Sequence, residues 1–208
     1  MENNEIEISE GNLSELHNVY QLLQADFPAN ELKDYKHFQL LLANEKYKLI
    51  WAKQQEEIVG YALIYEFDHL PAIWLDYIAI DQQFRNAGYG SLFFQKILQS
   101  KQDGFIGIFV EVEIPEEDGD TREQQLRRIN FYERLGARRL KIPYILPTND
   151  GGFPMYLYFR PSSNVHRLPE EQIEAAIQEA FQFIHSDVID KDTILNEFST
   201  FIGDEYFS

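Results

Sequence analysis

The chain has 208 residues, 44% of them hydrophobic and 14% aromatic, enough to bury one substantial core with an appended element. Eighteen basic residues stand against 35 acidic ones, and the formal net charge of -17 repels nucleic acid and anionic membrane while favouring cationic partners. Cysteine is absent, which excludes disulfides, zinc–thiolate sites and a thiol nucleophile.

The stretch MENNEIEISEGN is acidic and lacks a basic-then-apolar leader pattern, and no apolar run approaches the roughly 18 residues of a membrane span, so a cytoplasmic protein is expected. His17, His37, His69, His166 and His185 are scattered without ligand spacing, and no metal is expected. Glu5–Ser9 alternates polar and apolar residues as a half-buried strand does. Asn12 with Glu15 three residues later predicts an N-cap with a reciprocal partner, opening a helix whose stripe is Leu16, Val19, Tyr20 and Leu23 and which Pro28 stops. A second helix is expected over about Glu31 to Asn44, carrying Leu32, Tyr35, Phe38, Leu41 and Leu42 inward.

Tyr47–Ala52 and Glu57–Phe67 read as a hairpin joined by the polar turn Lys53–Glu56, with Gly60 marking a bulge or a small packing position. A third strand, Trp74–Ile80, is apolar except for Asp76 and leads into Arg85-Asn86-Ala87-Gly88-Tyr89-Gly90 and then a helix with Leu92, Phe93, Ile97 and Leu98 on one side. A strand therefore delivers a glycine turn to a helix N-terminus, where unpaired N–H groups and the positive end of the dipole suit a phosphate or pyrophosphate. No Gly-Lys-Ser/Thr follows, so it is not a Walker loop, and the spacing lacks the three glycines of a dinucleotide fingerprint.

After a stop at Gly104, Ile106–Ile114 predicts a strand, parallel to Trp74–Ile80 by the right-handed crossover rule, with Glu111 and Glu113 pointing to one face near its carboxyl end. Thr121 with Gln124 resembles a capping box for a helix from about Arg122 to Leu135, closed by Gly136. Ala137–Leu146 and Met155–Arg160 are read as the last strands, joined by a loop dense in turn residues with Tyr144, Phe153 and Tyr156 around it. These aromatics either line an acceptor pocket or fill the sheet surface.

From Asn164 onward, Pro169 at a first helical position starts a helix with Ile173, Ala176, Ile177, Ala180, Phe181 and Ile184 on one stripe. A second helix, about Asp192 to Phe201, carries Ile194, Leu195, Phe198 and Ile202. Neither is stable alone, so the stripe covers either the sheet of its own chain or a partner subunit, the second alternative giving a homodimer. The segments expected are 1–163 and a helical extension over 164–208.

Arg85, Gly88 and Gly90 fill the positions of the pattern Q/R-x-x-G-x-G/A after a strand, and the turn thereby resembles the acetyl-CoA signature of the GNAT superfamily of N-acetyltransferases. Asn130, Phe131, Tyr132 and Gly136 resemble that family's N-x-x-F/Y-Y-x-x-x-G-F segment in part, with Ala137 where an aromatic is frequent. The resemblance implies a mixed α/β sheet with parallel central strands splayed around a thioester, and two early helices flanking the acceptor pocket. It implies acetyl-CoA as co-substrate, with the pyrophosphate on N–H groups from Arg85 through Asn86, Ala87, Gly88, Tyr89 and Gly90 to Ser91. It also implies a carbonyl-polarising N–H at a bulge near Ile78, Ala79 and Ile80, and Asn130 on the pantetheine arm. Because the cofactor is itself anionic, Arg85, Lys96, Arg122, Arg127 and Arg128 are candidates for a local positive patch.

Acetyl transfer to an amine needs a general base and a proton or hydrogen bond for the departing thiolate. Asp76, Glu111 and Glu113 are the candidate bases, each also readable as a structural or solvated carboxylate, and the resemblance assigns the acid to Tyr132. The activity implied is N-acetylation of a primary amine on a small molecule or peptide by direct attack in a ternary complex. A non-catalytic acyl-CoA sensor or assembly module on the same fold stays open, as does a nucleotide-binding α/β protein of another kind.

Overall fold

The alternating N-terminal segment forms β1 (Glu7–Glu10), and Asn12 then caps the chain as the sequence predicts. Its side chain accepts the Ser14 N–H at 2.9 Å while Glu15 accepts the Asn12 N–H at 2.8 Å. The computed structural model describes residues 5–29, 31–101, 103–119 and 121–207, so Met1 and Ser208, the outer ends of the two expected segments, lie outside the described residues. Contacts divide the chain into two units, Met1–Glu66 with Leu75–Lys101 and Phe67–Trp74 with Gln102–Ser208. The fold is mixed α/β, with strand ladders that are mostly antiparallel and six α-helices among the described residues.

In the first unit a single 3-10 turn leads into α1 (Leu16–Asp26), which buries Leu16, Val19 and Leu23 at helical spacing. The second helix is shorter than expected: α2 spans Tyr35–Leu42, because residues 31–34 remain outside it as a loop whose last residue, Asp34, has extended backbone. β2 (Tyr47–Gln54) and β3 (Glu57–Glu66) form the expected hairpin, with Gln55 in the left-handed region at the turn. Ala52 faces Gly60 and Lys53 faces Ile58, so Val59 is the extra residue of a bulge. Gly60 is required here, since a Cβ would lie 2.6 Å from the Ala79 carbonyl. The strand β4 (Ala72–Ile80), whose residues from Leu75 on belong to this unit, follows β3 in the order β1-β2-β3-β4, and α3 (Tyr89–Gln99) buries Tyr89, Phe93, Phe94 and Ile97.

The second unit is built on β5 (Gly107–Glu113) and the helix α4 (Arg122–Arg134). Thr121 is not the capping box read from the sequence. Its backbone is already helical (φ -88, ψ -16) and its side chain makes no cap hydrogen bond, so the geometry that aims an N-cap oxygen at the first turn is missing. Instead the Glu116 N–H donates to the Gln125 side chain at 2.9 Å and Arg122 Nε donates to the Glu116 carbonyl at 2.9 Å. The strand expected over Ala137–Leu146 is also broken, into β6 (Arg138–Arg139) and β7 (Ile145–Leu146), both against β8 (Phe153–Pro161). Pro143 between them has no N–H to give a ladder.

The antiparallel β5–β8 ladder runs from Gly107↔Pro161 to Glu113↔Met155. Beyond it come β9 (Arg167–Leu168), α5 (Glu170–Phe183), α6 (Lys191–Phe198) and β10 (Glu205–Tyr206), with β10 pairing back on β9 in a ladder absent from the sequence reading. Pro169 is the N-cap of α5, so the helix starts one residue later than expected, and the second helix ends in a 3-10 turn at Ser199–Phe201. Ile173, Ala176, Ile177, Ala180, Phe181 and Ile184 are all buried within the chain itself.

The close approach at Gly60 is testable. Gly60→Ala is expected to lower stability by about 1–3 kcal/mol, because the added methyl must displace strand backbone rather than a flexible side chain. A urea midpoint equal to that of the wild type would show that the β3–β4 spacing yields.

Candidate active site

The turn after β4 is assembled from backbone outward. The bulge leaves the Val59 carbonyl to accept the Asp81 N–H at 3.0 Å, and the Asp81 carboxylate accepts the Gln83 N–H at 3.0 Å to cap a 3-10 turn at Gln82–Phe84. Arg85 then folds back, donating from Nε to the Ile80 carbonyl at 2.8 Å and pairing with Asp26 at 2.6 Å. Tyr61 also donates to Asp26, at 2.9 Å, so the end of α1, the middle of β3 and the turn are joined at one carboxylate. Asn86 (φ 65) and Gly88 (φ 87) both lie in the left-handed region, which reverses the chain into α3.

The first intrahelical bond of α3 runs from Leu92 N–H to the Gly88 carbonyl at 3.2 Å. The N–H groups of Tyr89, Gly90 and Ser91 are therefore those a helix start leaves without an intrahelical acceptor. Around Gly88 a Cβ would meet nothing within 4 Å, so the approach to these amides is open at that residue. Tyr89 is anchored by its hydroxyl on Gln54 at 2.7 Å and by an edge contact with Phe84, and Lys96 near the other end of α3 complements the dipole. Arg85, read from the sequence as part of a positive patch, is paired with Asp26 and bonded to the Ile80 carbonyl.

Asp76 lies earlier on β4 with its side chain 2% exposed. It pairs with Lys33 at 2.8 Å and accepts from the Tyr47 hydroxyl at 2.5 Å. Lys33 also sits 4.9 Å over the Tyr77 ring, and Tyr77 donates to the Glu31 carbonyl at 2.7 Å. Burial first, and the neighbouring Asp76 charge second, push the Tyr47 phenol well above its usual value. This network fastens the loop between α1 and α2 to the strand. Lys33 carried no signal in the sequence, being one lysine in a loop 43 residues from its partner.

In the second unit Glu111 and Glu113 project at period two from β5 but meet different partners. Glu113 is buried and paired with Arg128 of α4. Glu111 accepts from the Tyr144 hydroxyl and, at 3.3 Å, from Trp74 Nε1. Of the aromatics read as a rim, Tyr144 is buried, Tyr156 is half-buried and Phe153 is exposed. Tyr132 is buried on α4; burial raises its phenol to about 12, the Arg128 charge pulls it down, and Glu113 pushes it up. It keeps its proton at neutral pH. Asn130, on the same helix, is exposed. Among the described residues no group of three or more acidic, histidine or cysteine side chains is placed to hold a metal.

The family model for the acetyltransferase (GNAT) family matches residues 16–137, more than half of the 208. The chain belongs to the GNAT acetyltransferase family. It is thus one of a family of enzymes that use acetyl-CoA. Among solved structures it is similar to a protein described as a GNAT-family acetyltransferase from Bacteroides thetaiotaomicron, with TM-score 0.70, 23% identity, and 88% of this chain and 99% of that one covered. It is similar also to the ribosomal-protein-S18-alanine N-acetyltransferase of Escherichia coli, with TM-score 0.56, 21% identity, and 78% and 99% covered. A third likeness is to Arabidopsis thaliana NAA60 in complex with acetyl-CoA, with TM-score 0.55, 14% identity, and 76% and 98% covered. These three likenesses bear on the fold. No curated protein matches the sequence. No helix of this GNAT protein, among the described residues, is long and apolar enough to cross a membrane.

The raised phenols have a consequence for stability. A tyrosine whose folded pKa exceeds its unfolded value of about 10 holds its proton more tightly when folded. Its contribution is intact below about pH 10 and is lost as pH rises through the folded value. Tyr132, at about 12, and Tyr47, Tyr61 and Tyr77, raised chiefly by burial, all act in this direction. The urea midpoint is expected to hold up to about pH 9.5 and to fall between about pH 10 and 12. Constancy across that window would mean that these phenols ionise as they do in water.

Proposed function

We propose that this GNAT enzyme is an N-acetyltransferase that moves an acetyl group from acetyl-CoA to a primary amine on a small molecule or peptide, by direct attack in a ternary complex. The observation that carries the reading is the open helix start at Tyr89, Gly90 and Ser91 behind a left-handed Gly88. Fixed N–H groups with a helix dipole behind them suit a diphosphate, and bound acetyl-CoA supplies the activated thioester. Arg85 and Asn86 shape that turn, and Ile78, Ala79 and Ile80 end the strand that delivers it. Asn130 is proposed for the pantetheine arm by the family resemblance. Residues 1–163 are proposed as the acetyltransferase segment and 164–208 as an extension packing on it.

Glu111, which accepts from the hydroxyl of Tyr144 and the indole of Trp74, is proposed to take the proton from the attacking amine; Asp76 pairs with Lys33 and Glu113 with Arg128. Tyr132, protonated across the neutral range, is proposed to donate to the departing thiolate. The net charge of -17 favours a cationic acceptor, consistent with an amine. A cytoplasmic location is part of the same proposal.

Three substitutions separate binding from chemistry. Gly88→Glu is expected to abolish calorimetric binding of acetyl-CoA, while Gly88→Asn, which tolerates the left-handed backbone without adding charge, should keep most of it. Tyr132→Phe is expected to lower turnover by about 10²-fold or more, with acetyl-CoA affinity nearly unchanged, in thiol-release assays on a panel that includes spermidine and an alanine-terminated peptide. Equal affinity of the wild type and Gly88→Glu would remove the placement of the diphosphate. Tight binding with no turnover on any amine would point to a sensor instead.

A further inference from the structure

Tyr144 is a residue the family pattern does not reach, and it stands where the C-terminal helices meet the carboxylate of Glu111. Its ring is almost fully buried, at 1% exposure, and its backbone is tied at both groups. The Tyr144 N–H donates to the Ile142 carbonyl at 2.9 Å, and its carbonyl accepts the Met155 N–H of β8 at 3.0 Å. The ring is wedged between Phe181 of α5 (6.1 Å) and Phe198 of α6 (5.4 Å), which also touch one another at 6.1 Å. On its other side stands Trp74 at 6.2 Å, itself stacked on Phe109 at 5.7 Å. The Tyr144 hydroxyl then donates to one oxygen of Glu111 and the Trp74 indole to the other. Both rings are buried and packed against other rings, which holds these two donors where they meet the carboxylate.

We infer that the C-terminal helices hold Glu111 in place through Tyr144, which is a positioning residue of the active site. The catalytic use of this hold rests on Glu111 being the base, as proposed above. Titratable groups on the elements around β5 include Glu113, Arg128, Tyr132, Glu133, Arg139, Tyr156, Tyr158, Arg160 and His185. Glu113 is paired with Arg128, Tyr158 donates to Glu133, Arg160 donates to the Leu135 carbonyl at 2.7 Å, and His185 stands 5.9 Å from the Phe181 ring. A phenol hydrogen bond stabilises the ionised carboxylate, so its removal should make Glu111 take up a proton at higher pH.

The test uses full-length protein labelled with [δ-¹³C]glutamate, the Glu111 resonance being identified by its loss in Glu111→Gln. Tyr144→Phe is expected to raise the Glu111 titration midpoint by about one pH unit. The acidic limb of kcat/KM for the best amine of the panel should move by the same amount, at constant KM for acetyl-CoA. Phe198→Ala, which leaves the hydroxyl but loosens its wedge, should shift both in the same direction by less. Unmoved titration and unmoved acidic limb in Tyr144→Phe, with the protein folded, would overturn the inference. A shifted titration in Tyr144→Phe together with full activity of Glu111→Gln would support the hold on Glu111 while removing Glu111 as the base.

Discussion

A chain of net charge -17 holds an anion against its own average field, through contacts of short range. Salt screens separated surface charges over roughly 8–10 Å, whereas an N–H in direct contact with a phosphate oxygen is not screened in that way. The start of α3 meets this condition through geometry alone. Gly88 turns the chain at a φ no ordinary residue favours, and three N–H groups at positions 89–91 follow it. The bulge at Val59 and the absence of a Cβ at Gly60 let the end of β4 come close enough for Asp81 to be bonded to β3. Arg85 then spends its charge on Asp26 and the Ile80 carbonyl. The one cation nearest the turn in sequence serves as a strut, and the proposed diphosphate site depends on backbone that this strut keeps still.

The same acidity poses a second problem, since carboxylates are abundant and a base must differ from its neighbours. Asp76 and Glu113 each pair with a cation within their own unit, and two of the donors to Glu111 are a phenol and an indole. Neutral donors orient a carboxylate without placing a permanent positive charge against the proton it is to receive. Tyr132 completes the contrast, because burial keeps its phenol protonated well above the neutral range and leaves it as a donor.

Local signals were readable from the sequence and long-range ones were not. Asn12 and Glu15 cap each other within three residues, and the glycine turn and its flanking strand and helix are contiguous, so their chemistry could be read in order. Thr121 and Gln124 have the same spacing, yet Thr121 enters with helical backbone and the cap fails; spacing alone does not report the backbone angle. The break between β6 and β7 turns on Pro143, whose ladder position is a tertiary matter. Lys33 with Asp76, and Tyr144 with Glu111, are 43 and 33 residues apart, and no periodicity links them. Tyr144 could be named only as one aromatic of a group.

That last pair gives the C-terminal extension a role that amphipathicity by itself cannot supply. A buried stripe needs only some apolar surface to cover, and α5 provides it through Ile173, Ala176, Ile177 and Ala180. Phe181 and Phe198 add something more specific, because they close on the ring of a residue whose far end is a hydrogen-bond donor. An aliphatic wedge would bury similar area but grip a flat ring less directionally. The return of β10 onto β9, with Glu205 accepting the Lys141 N–H three residues before Tyr144, ties the end of the described chain to the loop that carries that ring. The extension thus meets the proposed base through one ring, packed by Phe181 and Phe198 at one end and donating to Glu111 at the other.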